Sequence, residues 1–126
     1  MPSEVEVTAT PAGFTTLVAV RGELDIRSRA AFAESVLPVA MSADRVVLDL
    51  TEVSFIDSTG IGELVRVRRT LQHRGQGMHV VPSRRVLSAL TISSILGTMI
   101  IHDTVSDALL DGDVADPAPS DAVSST

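Results

Sequence analysis

Polar and apolar residues alternate from Glu4 to Thr10, which is typical of a strand with one buried face. A turn follows at Pro11-Ala12-Gly13, and a second strand-like run extends from Phe14 to Val20. Together they predict an antiparallel hairpin with a three-residue loop. The pattern breaks at residues 21–25.

The middle of the chain alternates between helical and strand-like patterns. Apolar residues at helical spacing predict a first helix from Arg27 to about Met41, which Pro38 ends or bends near its C-terminus. Residues 46–50 are nearly all apolar, as in a strand that is covered on both faces. Inward-facing positions then continue at Val53, Phe55 and Ile56.

Helices and short strands continue to alternate down to residue 110. The predicted elements are a helix from Ile61 to about Gly75, a strand Met78–Val81, a helix opened by Pro82-Ser83, a strand Met99–Ile101, and a helix Thr104–Leu110 capped by Thr104 or Asp103. The order β-β-α-β-α-β-α-β-α predicts an α/β fold. In it, a mixed sheet is opened by an antiparallel hairpin, and about four helices pack against it.

Composition limits the classes of protein that remain. The chain has 126 residues, which suits one domain, and its core must be aliphatic because it has three Phe and neither Trp nor Tyr. The absence of cysteine excludes disulfides and thiolate sites. The sequence has no apolar run of about 18 residues and no basic leader followed by a long apolar stretch. We therefore expect a cytoplasmic protein without a membrane partner.

The charge is distributed unevenly. Residues 1–102 hold ten Arg and ten acidic residues, whereas residues 103–126 hold six Asp and no cation. Balanced charge in the body of the chain, with few aromatic rings for base stacking, argues against direct nucleic-acid binding. The segment 111–126 is too poor in apolar residues to offset its ordering entropy. We expect a domain at residues 1–110 and a disordered acidic tail at 111–126.

The strongest candidates for a functional site are Asp57-Ser58-Thr59-Gly60, which lie between a predicted strand and a predicted helix. Helix starts favour anions, since their first N–H groups lack partners and the dipole is positive there. Ser58 is consistent either with an N-cap residue or with a phosphate acceptor, and Asp57 with a cap or with a residue that orients the Ser58 hydroxyl. Gly60 and Gly62 would keep the turn bare for a close approach by a partner.

Other functional classes have less support from the sequence. A serine hydrolase would need a Gly-x-Ser-x-Gly turn and an assignable base, and a receiver domain would need a lysine, which the chain lacks. The histidines have no metal-ligand spacing and are interpreted as surface or strand-edge residues; they are His73, His79 and His102. The arginines of the second helix form either a solvated face or a docking surface for an acidic partner; they are Arg66, Arg68, Arg69 and Arg74.

Several segments in this order resemble the STAS-domain family, and within it the anti-sigma factor antagonists. They are the hairpin, Gly22-Glu23-Leu24-Asp25, residues 46–65 around Asp57-Ser58-Thr59-Gly60, Arg74-Gly75-Gln76-Gly77 and residues 82–90. The resemblance covers roughly residues 5–110. One departure from the family pattern is Ile92, which replaces a glycine in a Thr-Gly-Leu element after the third helix.

The resemblance implies a site and partners. In that family the first hydroxyl after the aspartate is phosphorylated, which implies Ser58, with Thr59 as the backup acceptor. The resemblance implies that a kinase or other partner contacts a surface formed by Asp25, Asp57, Ser58, Thr59, Gly60, Ile61 and Gly62.

By the same resemblance, the unphosphorylated protein would bind an anti-sigma factor that is also a serine kinase, and so free a sigma factor. Phosphorylation of Ser58 would abolish that binding, and a Ser/Thr phosphatase would reset it. The chain itself would be neither an enzyme nor dependent on a cofactor. The alternative that the resemblance leaves open is a non-enzymatic STAS subunit of a scaffold or transporter complex.

Overall fold

The computed structural model describes residues 5–110, and these form five strands and four α-helices in the predicted order. In chain order the elements are β1 (Val5–Ala12), β2 (Thr15–Leu24), α1 (Arg29–Ser42), β3 (Val46–Ile56), α2 (Ser58–Gln72), β4 (His79–Pro82), α3 (Arg84–Ile92), a 3-10 turn (Leu96–Thr98), β5 (Ile100–Ile101) and α4 (Val105–Leu110). The predicted tail at 111–126 lies outside the described residues.

The strands form one sheet in the order β1-β2-β3-β4-β5. The first two strands are antiparallel, and each later neighbour runs parallel to the one before it. The predicted mixed sheet opened by a hairpin is therefore confirmed. Because parallel strands end at the same edge, the carboxyl ends of β2, β3 and β4 lie side by side.

Both faces of the central strands are covered, which explains why β3 begins with an unbroken apolar run. Leu48 faces the main core, where buried residues of α1, α2 and α3 pack on the sheet. Its neighbour Val47 points to the other face, since side chains alternate along a strand, and packs with Val81 and Ala108 of α4. This second cluster is much smaller than the first.

The hairpin differs from its prediction at both ends. Ala12 pairs with Thr15, so the connection has two residues rather than three, and Gly13 takes a positive φ of 63° there. The second strand does not stop at residue 20 but continues to Leu24. Its pairing with β3 shifts register twice, and Gly22 adopts a φ of 110° between the shifts. These irregularities interrupt the alternation of inward and outward side chains that marks a strand in a sequence.

Some local predictions were wrong. Helix α2 begins at Ser58, three residues earlier than predicted. Helix α1 ends at Ser42, within one residue of its predicted end, and Pro38 lies inside the helix rather than ending it. Phe55 was expected to face inward but is 40% exposed. His79 and His102, which were interpreted as surface or strand-edge residues, are both buried; His79 begins β4 and His102 directly follows β5. Of the two predicted caps of the last helix, Thr104 and Asp103, the structure selects Thr104, whose hydroxyl accepts a hydrogen bond from the Asp107 N–H at 3.0 Å.

Candidate functional site

Three helix starts lie at the edge formed by the carboxyl ends of the parallel strands. Asp25 follows β2, Asp57 follows β3 and Ser83 follows β4. Each of these side chains accepts a backbone hydrogen bond from a residue two or three positions ahead. Such an edge is where α/β proteins commonly place ligand or partner contacts.

Asp57, and not Ser58, caps α2. The Asp57 Oδ1 accepts a hydrogen bond from the Gly60 N–H at 3.1 Å. Ser58 is the first residue of the helix and is exposed, and its hydroxyl has no hydrogen-bond partner among residues 5–110. Its hydroxyl therefore takes no part in capping and is presented to solvent at the positive end of the helix dipole.

The start of α2 is fixed against the end of β2. The Asp57 N–H donates to the Leu24 carbonyl at 3.2 Å. A Cβ added at Gly60 would collide with that carbonyl and lie 2.8 Å from Leu24 Cβ and 2.9 Å from Ile56 Cγ1. Gly60 is thus required by internal packing, whereas an added Cβ at Gly62 would meet no atom within 4 Å. Of the two glycines expected to keep the turn bare, only Gly62 is exposed.

Asp25 organises the neighbouring loop. Its Oδ1 accepts hydrogen bonds from the backbone N–H groups of Arg27 at 2.9 Å and Ser28 at 3.2 Å. The Ser28 hydroxyl in turn accepts from the Asp25 N–H at 3.0 Å and donates to the Glu23 carbonyl at 2.6 Å. Since Leu24 bonds to Asp57, this loop and the start of α2 adjoin each other. The structure therefore brings Asp25 and Asp57 to the same surface.

The Asp25 carboxylate is held in its charged form. Burial acts to raise its pKa, but the two backbone N–H groups and the Arg27 guanidinium, 3.5 Å from Oδ2, outweigh burial and lower the pKa below its ordinary value. The loop thus keeps a negative charge within the site at neutral pH.

Two exposed apolar residues at this edge were missed by sequence reasoning. Ile26, directly after Asp25, is 67% exposed, and Phe55 lies three positions before Ser58. Ile61, in the first turn of α2, is half-buried, as is Thr59. Exposed apolar side chains beside a polar site are a usual feature of protein-docking surfaces. The sequence signal for Ile26 was its isolation between Asp25 and Arg27 in a loop.

The other residues considered from the sequence lie elsewhere. The Arg74 guanidinium donates to the carbonyls of Ala40 at 2.9 Å and Ala43 at 2.7 Å, so it joins the end of α1 to the end of α2. Arg66 lies 3.7 Å from the buried carboxylate of Glu63. The described histidines are remote from the carboxyl edge, and none is placed as a base for Ser58: His73 follows α2, His79 begins β4, and His102 contacts His79.

Within residues 5–110 there is no cluster of acidic, His or Cys residues that would hold a metal ion. None of the helices in that range is long and apolar enough to span a bilayer. The carboxyl edge itself carries an exposed hydroxyl at Ser58, an ionised carboxylate at Asp25 and exposed apolar side chains.

Several solved structures have a similar fold. The fold is similar to that of an anti-sigma factor antagonist from Mycobacterium paratuberculosis, with a TM-score of 0.74 and 23% identity, over 87% of this chain and 95% of that one. It is also similar to the anti-sigma factor antagonist SpoIIAA, solved in its unphosphorylated form (TM-score 0.67, 19% identity, 89% of this chain and 99% of that one). A structure of Bacillus SpoIIAA in the phosphorylated form matches as well (TM-score 0.63, 18% identity, 85% and 99%).

A membrane protein contains a similar domain. Part of the murine Solute Carrier 26 family member A9 anion transporter matches with a TM-score of 0.71 and 18% identity, over 82% of this chain and 18% of the transporter. Among curated proteins no sequence matches. The family model for the STAS domain matches residues 5–108, which is most of the chain. The chain therefore belongs to the STAS domain family.

Proposed function

We propose that this STAS protein is an anti-sigma factor antagonist whose binding is switched by phosphorylation of Ser58. In the unphosphorylated form it binds an anti-sigma factor with serine kinase activity and frees a sigma factor. The kinase transfers a phosphate from ATP to Ser58, and a Ser/Thr phosphatase removes it. Thr59 is the backup acceptor, and the chain acts as a substrate and binding partner rather than as an enzyme.

The observation that carries this proposal is the exposed Ser58 hydroxyl beside the capping carboxylate of Asp57. Because Asp57 supplies the cap, modification of Ser58 removes no capping hydrogen bond from the helix. The first N–H groups of α2 and the helix dipole favour an anion at this position. A phosphate therefore adds charge here without a large cost to folding.

Charge explains how binding would be lost. A phosphoserine carries about −1.5 to −2 charges near neutral pH. The edge that carries Ser58 also includes exposed Ile26 and Phe55, and the loop with the ionised Asp25 adjoins the start of α2. A partner that covers this surface would have to bury a dianion next to a carboxylate, which opposes binding.

Mass spectrometry tests the proposal directly. The protein is incubated with candidate anti-sigma kinases of its host and ATP, alongside the variants Ser58→Ala and Thr59→Ala. We expect one added phosphate on the wild type and on Thr59→Ala, and none on Ser58→Ala. A phosphate that persists on Ser58→Ala and is lost from Thr59→Ala would move the site to Thr59.

A second candidate function rests on the similar domain within the murine anion transporter. In that case the chain would be a non-enzymatic subunit of a transporter or scaffold complex. A pull-down from the host with the wild-type chain separates the two functions. Recovery of a small kinase supports the antagonist, whereas recovery of a transporter subunit, with no kinase, supports the second candidate.

A further inference from the structure

The two outer strands of the sheet formed by residues 5–110 differ greatly in length. At one edge β5 has two residues, whereas at the other edge β1 has eight. The outer strand of a sheet presents a row of N–H and C=O groups to which another strand can bind, and a long outer strand presents more of them. The edge formed by β1 is therefore the place where this sheet can be extended.

The hydrogen bonds of β2 show which way the backbone groups of β1 point. Thr16 lies opposite Pro11 of β1, but its N–H donates to the Arg45 carbonyl at 2.8 Å, on the side of β3. In an antiparallel pair the N–H and C=O of a given residue point to the same side of the strand. Thr16 and Pro11 therefore form a pair without mutual hydrogen bonds, and the N–H that proline lacks is not needed inside the sheet.

Every second residue of β1 points its backbone groups out of the sheet. Bonded and non-bonded pairs alternate along an antiparallel ladder, and the pairing of β1 with β2 contains no register shift. Thr8 therefore bonds to β2, whereas the N–H and C=O groups of Val7 and Ala9 point outward, as does the Pro11 carbonyl. The outer side of β1 thus offers donors and acceptors at the spacing of a β-ladder.

Two copies of β1 can bond these outward groups to each other. If two Thr8 residues face each other in antiparallel strands, Val7 of each copy lies opposite Ala9 of the other, and each such pair exchanges both N–H···O bonds. A pairing centred on Ala9 would instead place Val7 opposite Pro11, which has no N–H for the Val7 carbonyl. A pairing centred on Glu6 would place two carboxylates directly opposite each other, which is destabilising.

The side chains of β1 are compatible with the pairing centred on Thr8. Glu6 lies opposite Thr10 in it, and its carboxylate is 3.6 Å from Arg21 Nε of its own copy, so no like charges meet across the two strands. The two Thr8 side chains occupy a closely spaced pair, in which threonines interact favourably. The two-fold axis passes through this pair, so that every other contact occurs twice.

The helix beside β1 also leaves room for a second copy. Helix α1 packs against β1, and because the two-fold axis is perpendicular to the sheet, the α1 helices of both copies would lie on the same face. From Ser35 to Ser42 this helix carries no charged residue; its exposed positions there are Ser35, Pro38, Met41 and Ser42. Two such surfaces can approach each other without burying an unpaired charge.

We propose that this protein forms a two-fold symmetric dimer in which two β1 strands pair antiparallel about Thr8 and join the two sheets into one. The occupant of the β1 edge is thus a second copy of this chain. The contacts involve none of the residues assigned to the Ser58 site, so the dimer is independent of the function proposed above. An interface of two strands and two helix flanks is modest, and we expect a reversible equilibrium between monomer and dimer.

Charge exchange at Thr8 tests the pairing and its register. Sedimentation equilibrium of the full chain at rising concentration should show a dimer for the wild type. Thr8→Glu and Thr8→Lys should each raise the dimer dissociation constant about fivefold or more, because like charges meet on the axis. An equimolar mixture of the two variants should restore the dimer, since a glutamate then faces a lysine. Ser88→Glu, which adds a charge at an exposed position of α3, should dimerise like the wild type.

Ala9→Pro tests the backbone hydrogen bonds. It removes an outward N–H and none of the hydrogen bonds between β1 and β2, so the monomer should stay folded by circular dichroism while the dissociation constant rises at least about tenfold. In the wild type, amide hydrogen exchange at Val7 and Ala9 should slow as the protein concentration rises.

The proposal is overturned if the wild type stays monomeric at millimolar concentration. If the Val7 and Ala9 amides are nevertheless protected at every concentration, the edge is covered by another segment of the same chain instead. A dimer that forms equally well in Thr8→Glu and Thr8→Lys places the contact elsewhere and also overturns the proposal. The same holds if the mixture of these two variants dimerises no better than either variant alone.

Discussion

Gly60 packs against the Leu24 carbonyl so closely that no Cβ fits between the first turn of α2 and the end of β2. The same carbonyl accepts the Asp57 N–H at 3.2 Å. One atom of β2 therefore sets the position of the turn that presents Ser58.

Gly60→Ala should destabilise the fold. The added methyl group must displace backbone as well as side chain, and overpacking of this kind costs roughly 1 to 3 kcal/mol in the free energy of unfolding. Gly62→Ala is the matched control in the same helix, where the methyl group meets open space. It should be neutral or stabilise by up to about 1 kcal/mol, because alanine favours the helix. Urea unfolding of both variants measures the contrast, and equal effects would contradict the packing argument.

Asp57→Ala should lower the free energy of unfolding by about 1 kcal/mol, since it removes the cap of α2. Asp57→Asn keeps an oxygen that can accept from the Gly60 N–H, and we expect it to lose only a few tenths of a kcal/mol. Thermal unfolding compares the two. If Asp57→Asn is as unstable as Asp57→Ala, the charge rather than the cap stabilises this turn.

Ser58→Asp should weaken binding to the cognate partner at least about tenfold without harming the fold, because an acidic residue at a helix start is favourable by about 0.3 to 1 kcal/mol. Ser58→Ala should bind like the wild type. Isothermal titration calorimetry with the kinase identified by phosphorylation measures both affinities. Unchanged affinity of Ser58→Asp would count against the switch, provided that the wild type binds.

Stability should decrease in acid partly through Asp25. Its pKa is lower in the folded protein than in the unfolded chain, so its contribution is complete above the ordinary pKa of about 4 and is lost as the pH falls through the lower folded value. Asp25→Asn removes this titration but keeps an acceptor for Arg27 and Ser28. Unfolding free energies between pH 6 and pH 3 should fall less steeply in the variant than in the wild type; parallel slopes would refute the role of Asp25.

Ile26→Ser should reduce partner affinity about tenfold, as expected if this exposed side chain becomes buried against the partner. The control is Ile92→Ser, which changes a side chain that is 80% exposed at the far end of α3. Neither variant should alter thermal stability by more than about 0.5 kcal/mol. Equal affinities for the two variants would show that the docking surface lies away from Ile26.

Patterns within single segments predicted much of this fold. The alternation of helical and strand-like periods gave the order of the elements, because each element buries one face or both. The hydroxyl beside a carboxylate at a strand-to-helix turn likewise led to Ser58. The register shifts around Gly22 were not predicted, since a bulge breaks the period of two on which a strand prediction depends.

Contacts between residues that are far apart in the chain could not be predicted from the sequence. Gly60 is required by Leu24, which is 36 positions earlier, and no local pattern records that proximity. His79 and His102 were interpreted as surface or strand-edge residues because they lack metal-ligand spacing. Their burial depends on Arg45 and on the stacking of two rings that only the folded sheet brings together.

The attachment of α2 to Leu24 limits how another molecule can recognise the state of Ser58. Ser58, the proposed phosphoacceptor, stands on a turn that has no room to rearrange, so the modified and unmodified proteins should share one backbone shape. Only a molecule that contacts the turn itself can therefore distinguish the phosphorylated from the unphosphorylated protein. An antibody or inhibitor directed at the opposite end of the sheet would recognise both forms equally and report nothing of the protein's state.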